Sequence, residues 1–158
     1  MKKLLVTLVL GVSMMAVQAQ DYTSAIGLRG GFYGGLTFKH FLSEKMAFEG
    51  LLTAKYRGIN FTALAEFHNS ISEVDGLKWY YGFGGHIGFY NNNYYYNNYL
   101  GSDNYLMIIG VDGILGLEYT FDFIPFNLSL DWKPVFNLIG ASYFTPYGGA
   151  LSVRYCFE

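Results

Sequence analysis

Few residues of this chain have the types and spacing that chemistry needs. His68-Asn69-Ser70, with Glu66 and Glu73 nearby, places a serine, a histidine and carboxylates in one short segment. Such a set could use histidine to activate a serine nucleophile while a carboxylate orients the ring. His40 and His86 fall on different predicted strands and lack metal-ligand spacing, so neither a metal nor a cofactor is expected. The glycine-rich stretch Gly82–Gly88 is a strand pattern with no helix after it, unlike a phosphate-binding loop. Cys156 is the only cysteine, which rules out an internal disulfide. It reads as a small wall residue rather than a reactive thiol. What remains is a set of charges of nearly balanced sign: Arg29, Lys39, Glu49, Lys55, Glu66, Lys78, Asp112, Glu118, Asp131, Lys133 and Arg154.

Those charges need elements to position them. Phe126-Asn127-Leu128-Ser129-Leu130-Asp131-Trp132-Lys133 alternates apolar and polar residues without a break. A strand turns successive side chains to opposite faces, so the four apolar residues share one face and the four polar ones the other. The same period recurs through the chain. It predicts strands near Tyr22–Gly30, Gly35–Leu42, Met46–Tyr56, Ile59–His68, Leu77–Tyr90, Tyr105–Thr120, Phe126–Val135 and Gly148–Phe157. Every charge in the set falls on the polar face. No long segment after the first twenty residues has helical periodicity.

Ahead of the strands, Lys2 and Lys3 precede an apolar run from Leu4 to Val17, and Val17-Gln18-Ala19 supplies small residues at cleavage spacing. Residues 1–19 therefore read as a secretory signal peptide, too short in its apolar core to span a bilayer. Residues 20–158 form one domain. Removing Lys2 and Lys3 from the ten Lys and Arg leaves eight against twelve Asp and Glu, a net charge of −4. That balance argues against a nucleic-acid partner.

Alternation alone does not say which face is outside. Eight strands enclose a space just wide enough for side chains to fill. The rings of Trp79, Tyr81, Phe83, Phe89, Tyr119, Phe126, Trp132, Tyr155 and Phe157 would crowd it. Gly82, Gly84, Gly88, Gly110 and Gly116 lie on the polar face, where they relieve crowding. Several rings fall near strand ends, as in the aromatic girdles of membrane barrels. The expected fold is all-β: an eight-stranded antiparallel up-and-down transmembrane barrel, apolar outside, polar inside, and closed because lipid does not tolerate open sheet edges. With the N-terminus in the periplasm, residues near 43–45, 69–76 and 121–125 become periplasmic turns. Residues near 31–34, 57–58, 91–104 and 136–147 become external loops. If Ser43–Lys45 is a turn, Lys39 and Glu49 stand directly opposite each other.

Tyr155-Cys156-Phe157, closing an alternating strand that opens with Gly148-Gly149, resembles the C-terminal assembly signal of bacterial outer-membrane barrels, although Glu158 follows the aromatic. With the leader and strand count, the chain resembles the small OmpA/OmpX-type barrels. The wording of Leu77–His86 and Ile124–Pro134 resembles porin-family barrels of Bacteroidetes-type bacteria. The resemblance implies an integral outer-membrane location and assembly by barrel-folding machinery, with Tyr155 and Phe157 as the signal. It implies little about activity. Some small outer-membrane barrels deacylate lipid A with a His-x-Ser pair and a Glu. His68 and Ser70 match the tripeptide, but they fall at the periplasmic end, away from lipid A, and the following Glu is not at that family's spacing.

A non-enzymatic monomer is therefore expected, with a mostly closed polar interior, contributing to envelope integrity or surface contact. A narrow channel for small solutes is the alternative and a lipid A-modifying enzyme the third reading. Buried charges must be paired, so the interior reads as a plug of ion pairs and hydrogen bonds. Asn91–Asn104, with Tyr94, Tyr95, Tyr96 and Tyr99, is a candidate contact loop for an extracellular carbohydrate or protein. Tyr and Asn offer flat amphipathic surfaces and adaptable hydrogen bonds.

Overall fold

The computed structural model describes residues 22–55, 58–91, 105–140 and 143–157. The leader and the segment holding Tyr94, Tyr95, Tyr96 and Tyr99 lie outside the described residues, as does the side chain of Lys55. Among the described residues ten strand segments form: β1 (Ser24–Gly31), β2 (Gly34–Phe41), β3 (Met46–Lys55), β4 (Gly58–Ser70), β5 (Leu77–Asn91), β6 (Tyr105–Thr120), β7 (Phe126–Trp132), β8 (Val135–Ile139), β9 (Phe144–Thr145) and β10 (Gly149–Phe157). They pair in the order β5-β4-β3-β2-β1-β10-β7-β6, and β5 pairs again with β6. The sheet thus closes on itself. Every pairing is antiparallel.

Ten segments make eight staves. β7 and β8 lie in succession along β6, and β9 pairs with β8 as β10 pairs with β7. The break falls at Pro134, which has no N–H to give the ladder. Its carbonyl still accepts from Gly113 N at 3.0 Å, and Lys133 N donates to Gly148 O at 3.0 Å. The wall therefore continues through the proline.

Two connections differ from the sequence expectation. The 136–147 stretch, expected as an external loop, carries most of β8 and all of β9, because alternation resumes beyond Pro134. The 69–76 connection shrinks to Ile71–Gly76, since β4 runs two residues past His68. Gly76 ends that turn at φ 79°, a left-handed conformation that favours glycine, and its carbonyl accepts from Thr120 N at 2.9 Å. The turn after β2 is short as expected, with Leu42 N and Ser43 N both donating to Met46 O. Ser24 pairs with Phe157, so the first and last strands begin and end at the same, lower, end of the barrel.

The barrel is inside out relative to a water-soluble one. Along β7, Phe126, Leu128, Leu130 and Trp132 are exposed, while Asn127, Ser129 and Asp131 are buried. β4 and β10 repeat the pattern, with Phe61 and Val153 outside and Glu66 and Arg154 inside. Trp79, Tyr81, Phe126 and Phe157 mark the lower part of the outer face. Phe126 and Tyr155 meet edge to face at 5.7 Å. Inward glycines sit beside the bulkiest inward groups. A side chain at Gly116 would meet Tyr80 and Asp131, one at Gly110 would meet His86, and one at Gly88 would meet Tyr90.

A methyl group at Gly84 would run into the backbone of Ala63 and Leu64, whereas one at Gly149 would meet open space. Gly84→Ala is expected to cost roughly 1–3 kcal/mol, and Gly149→Ala to stay within about 0.5 kcal/mol. Urea unfolding of the detergent-refolded barrel checks both.

Candidate functional site

The interior is the place where polar chemistry concentrates. Alternation aims Arg29, Lys39, Glu49, Glu66, Asp112, Glu118, Asp131 and Arg154 inward, and all are buried, as is Lys133. Lys78 sits at the lower mouth with its ammonium 5.5 Å from the centre of the Phe41 ring. The inward charges sort into groups stacked along the lumen.

Near the lower end, Lys39 Nζ lies 2.8 Å from Glu66 Oε2 and 3.0 Å from Glu118 Oε2. It also stands 4.3 Å above the Tyr80 ring, a cation–π placement. Lys39 and Glu49 are register partners on β2 and β3, as the tight turn requires. The lysine nevertheless pairs across the lumen with Glu66 and Glu118. Register sets where a backbone sits, but a long flexible stem chooses its own partner. Tyr22, just before β1, donates to Glu118 Oε1 at 3.5 Å. Burial and then the Glu118 carboxylate push its hydroxyl well above the ordinary phenol range.

Glu49 belongs instead to Arg154, which reaches from β10 and forms an ion pair with it. Arg154 also donates to Thr37 Oγ1 at 3.0 Å, Asn127 Oδ1 at 3.1 Å and Ser129 Oγ at 2.8 Å. Thr37 in turn donates to Glu49 Oε1 at 2.5 Å. At mid-height, Arg29 grips Asp131 through two parallel bonds of 2.6 and 2.5 Å, the fork geometry that suits a guanidinium and a carboxylate. Tyr80 adds a 3.3 Å bond to the same carboxylate. Opposite them, Leu51, Leu64 and Ile114 pack with Tyr80 into an apolar cluster inside the barrel. Toward the upper end, Asp112 takes Lys133 on one oxygen and His86 Nδ1, at 2.7 Å, on the other. His86 Nε2 lies 3.0 Å from Asn137 Oδ1.

The His68-Asn69-Ser70 segment does not assemble a nucleophile. His68 is buried, and its Nε2 lies 3.2 Å from Glu66 Oε2 and its Nδ1 3.2 Å from Glu118 Oε1. Both ring nitrogens are turned to carboxylates, while Ser70 is exposed at the end of β4. Among the described residues no group of three or more His, Cys, Asp or Glu side chains could hold a metal ion. The Lys39 ammonium stands between Glu66 and Glu118. Tyr155 and Phe157 lie on the last strand at the lower end, half-buried and exposed respectively.

The charge alternation left two features unread. One is the apolar cluster, which the parity of Asp112 could have revealed by carrying Ile114 to the inner face. The other is the cross-lumen choice of partners, for which no local signal exists.

No protein-family model and no curated protein matches the chain. Among solved structures it is similar to the N-terminal β-barrel domain of Pseudomonas aeruginosa OprF. The TM-score is 0.64 at 19% identity, over 89% of this chain and all of that one. At that identity the likeness speaks for the fold.

Replacing Arg154 by Met leaves Glu49 buried without its ion pair. The loss expected is roughly 3–5 kcal/mol, and adding Glu49→Gln should return part of it. Unfolding midpoints of the two variants in one detergent decide this.

Proposed function

We propose that this chain is an integral outer-membrane barrel with a closed interior, serving envelope integrity or surface contact rather than catalysis. The observation that carries the reading is the inverted wall: large apolar side chains outside, paired charges inside. Val111, Phe83 and Leu130 are 48, 65 and 60% exposed, and similar residues surround the barrel. Water-soluble proteins rarely expose so extensive an apolar surface, whereas hydrocarbon welcomes it and demands the closed sheet.

The packing of the lumen supports a plug over a channel. Arg154 with Glu49 fills one part of the lumen, and Arg29 with Asp131, opposite Tyr80 and the leucines, fills mid-height. A lumen so filled, with its histidines engaged by carboxylates, leaves the outer wall and the two ends as the working surfaces. At the upper end Phe32, Phe144 and Tyr147 are exposed. In the sequence, Tyr94–Tyr96 and Tyr99 fall between β5 and β6. A carbohydrate or protein contact there is the surface role we favour.

Two measurements test this reading. Val111 lies outward near the middle of β6, the longest strand. Val111→Arg should cost roughly 2–4 kcal/mol in lipid vesicles. In a water-soluble barrel the same change would fall within about 0.5 kcal/mol, which would sink the membrane placement. In planar bilayers the purified protein should give no large, steady conductance steps. Such steps would replace the plug by a channel.

A further inference from the structure

We propose that the lower half of the lumen is a proton-binding site, with the proton carried by His68 between Glu66 and Glu118. The argument starts from donors and acceptors. A neutral imidazole has one N–H and one bare nitrogen. Here both nitrogens lie 3.2 Å from a carboxylate oxygen, Nε2 beside Glu66 and Nδ1 beside Glu118. The Nδ1 contact is near enough for an ion pair though not aligned for a hydrogen bond. A bare nitrogen in either place would set its lone pair against a carboxylate. His86 has no such conflict, because its Nδ1–H can donate to Asp112 while Asn137 turns its amide to donate to a bare Nε2.

Charge balance points the same way. Among the fully buried charges of this half, two cations, Lys39 and Arg154, face three carboxylates, Glu49, Glu66 and Glu118, while Lys78, the register partner of Glu118, stands half-buried at the mouth. Leaving one negative charge uncompensated in a buried site costs several kcal/mol. One proton removes that charge. The ring's surroundings suit a cation as well. Tyr80 stacks on it at 5.0 Å and 20°, and Phe41 lies 4.8 Å away at 55°. The groups facing His68 are thus Glu66 from its own strand, Lys39 and Phe41 from β2, Tyr80 from β5 and Glu118 from β6. Tyr22 approaches Glu118 from below. Two cations oppose a positive ring: Lys39, whose ammonium is already held by the same two carboxylates, and Lys78 of β5, farther off beyond Phe41 at the mouth. Stripping the proton with alkali would leave the excess negative charge buried and loosen the lower end.

The full-length barrel in detergent, labelled with 15N-histidine, tests this by NMR at neutral pH. The chain has three histidines, so His40→Gln and His86→Gln assign the His68 signals without disturbing it. Two protonated ring nitrogens on His68 are expected. One N–H and one bare nitrogen would overturn the proposal and move the proton to the carboxylates, where Glu49 Oε2 and Glu66 Oε1 are both buried without a hydrogen-bond partner. A second arm uses charge alone. His68→Gln should lower the urea midpoint, and adding Glu66→Gln should return most of the loss, since two cations then face two carboxylates. A double variant no more stable than His68→Gln overturns the proposal independently.

Discussion

The guanidinium of Arg154 reaches from β10 to side chains on β2, β3 and β7 at once. Arg29 ties β1 to β7, where Tyr80 arrives from β5. Lys39 ties β2 to β4 and β6. Backbone ladders join each stave only to its neighbours. These three cations join staves across the lumen, and every described stave has a side chain in one of their networks. The constraint behind them is the need to partner each charge that the two-residue period drives inward. A carboxylate taken from water and left alone would cost more than the fold could bear.

Such networks specify more than they stabilise. Desolvation consumes most of what an ion pair returns, and an apolar filling of equal volume could be as stable. Charges, however, accept few arrangements. Arg29 and Asp131 fit through a two-pronged geometry that a register slip would break. A slip by one residue would also turn every charge toward the outer face. The inner charges and outer apolar residues therefore reinforce one another's register. The leucine cluster fills what the longer polar side chains leave, and inward glycines make room for Tyr80, His86 and Tyr90.

How much of this could be read in advance depends on the range of the signal. Phe126 to Lys133 announced its two faces because parity is local: each residue's face follows from its neighbour's. The same parity placed Asp112, Glu118 and Arg154 inside, and ring volume decided against packing the aromatics there. Strand ends were less legible. β4 continues past His68 to Ser70, and alternation restarts beyond Pro134, because pairing to an existing neighbour extends a strand through residues that would not nominate themselves.

Partner choice lies at the other extreme. Lys39 and Glu49 face each other in register, yet Lys39 lies against Glu66 and Glu118, and Glu49 against Arg154, 105 positions away. Nothing in the order of residues distinguishes these pairings from the adjacent one. They follow from the tilt of the staves and the diameter of the closed ring, which bring distant strands to one level. Residue order was enough for the period, the two faces and the number of staves, since each rests on neighbours along the chain. Which charges meet, and that both nitrogens of His68 meet carboxylates, arose only when the sheet closed, because contact across a lumen is set by the geometry of the whole ring.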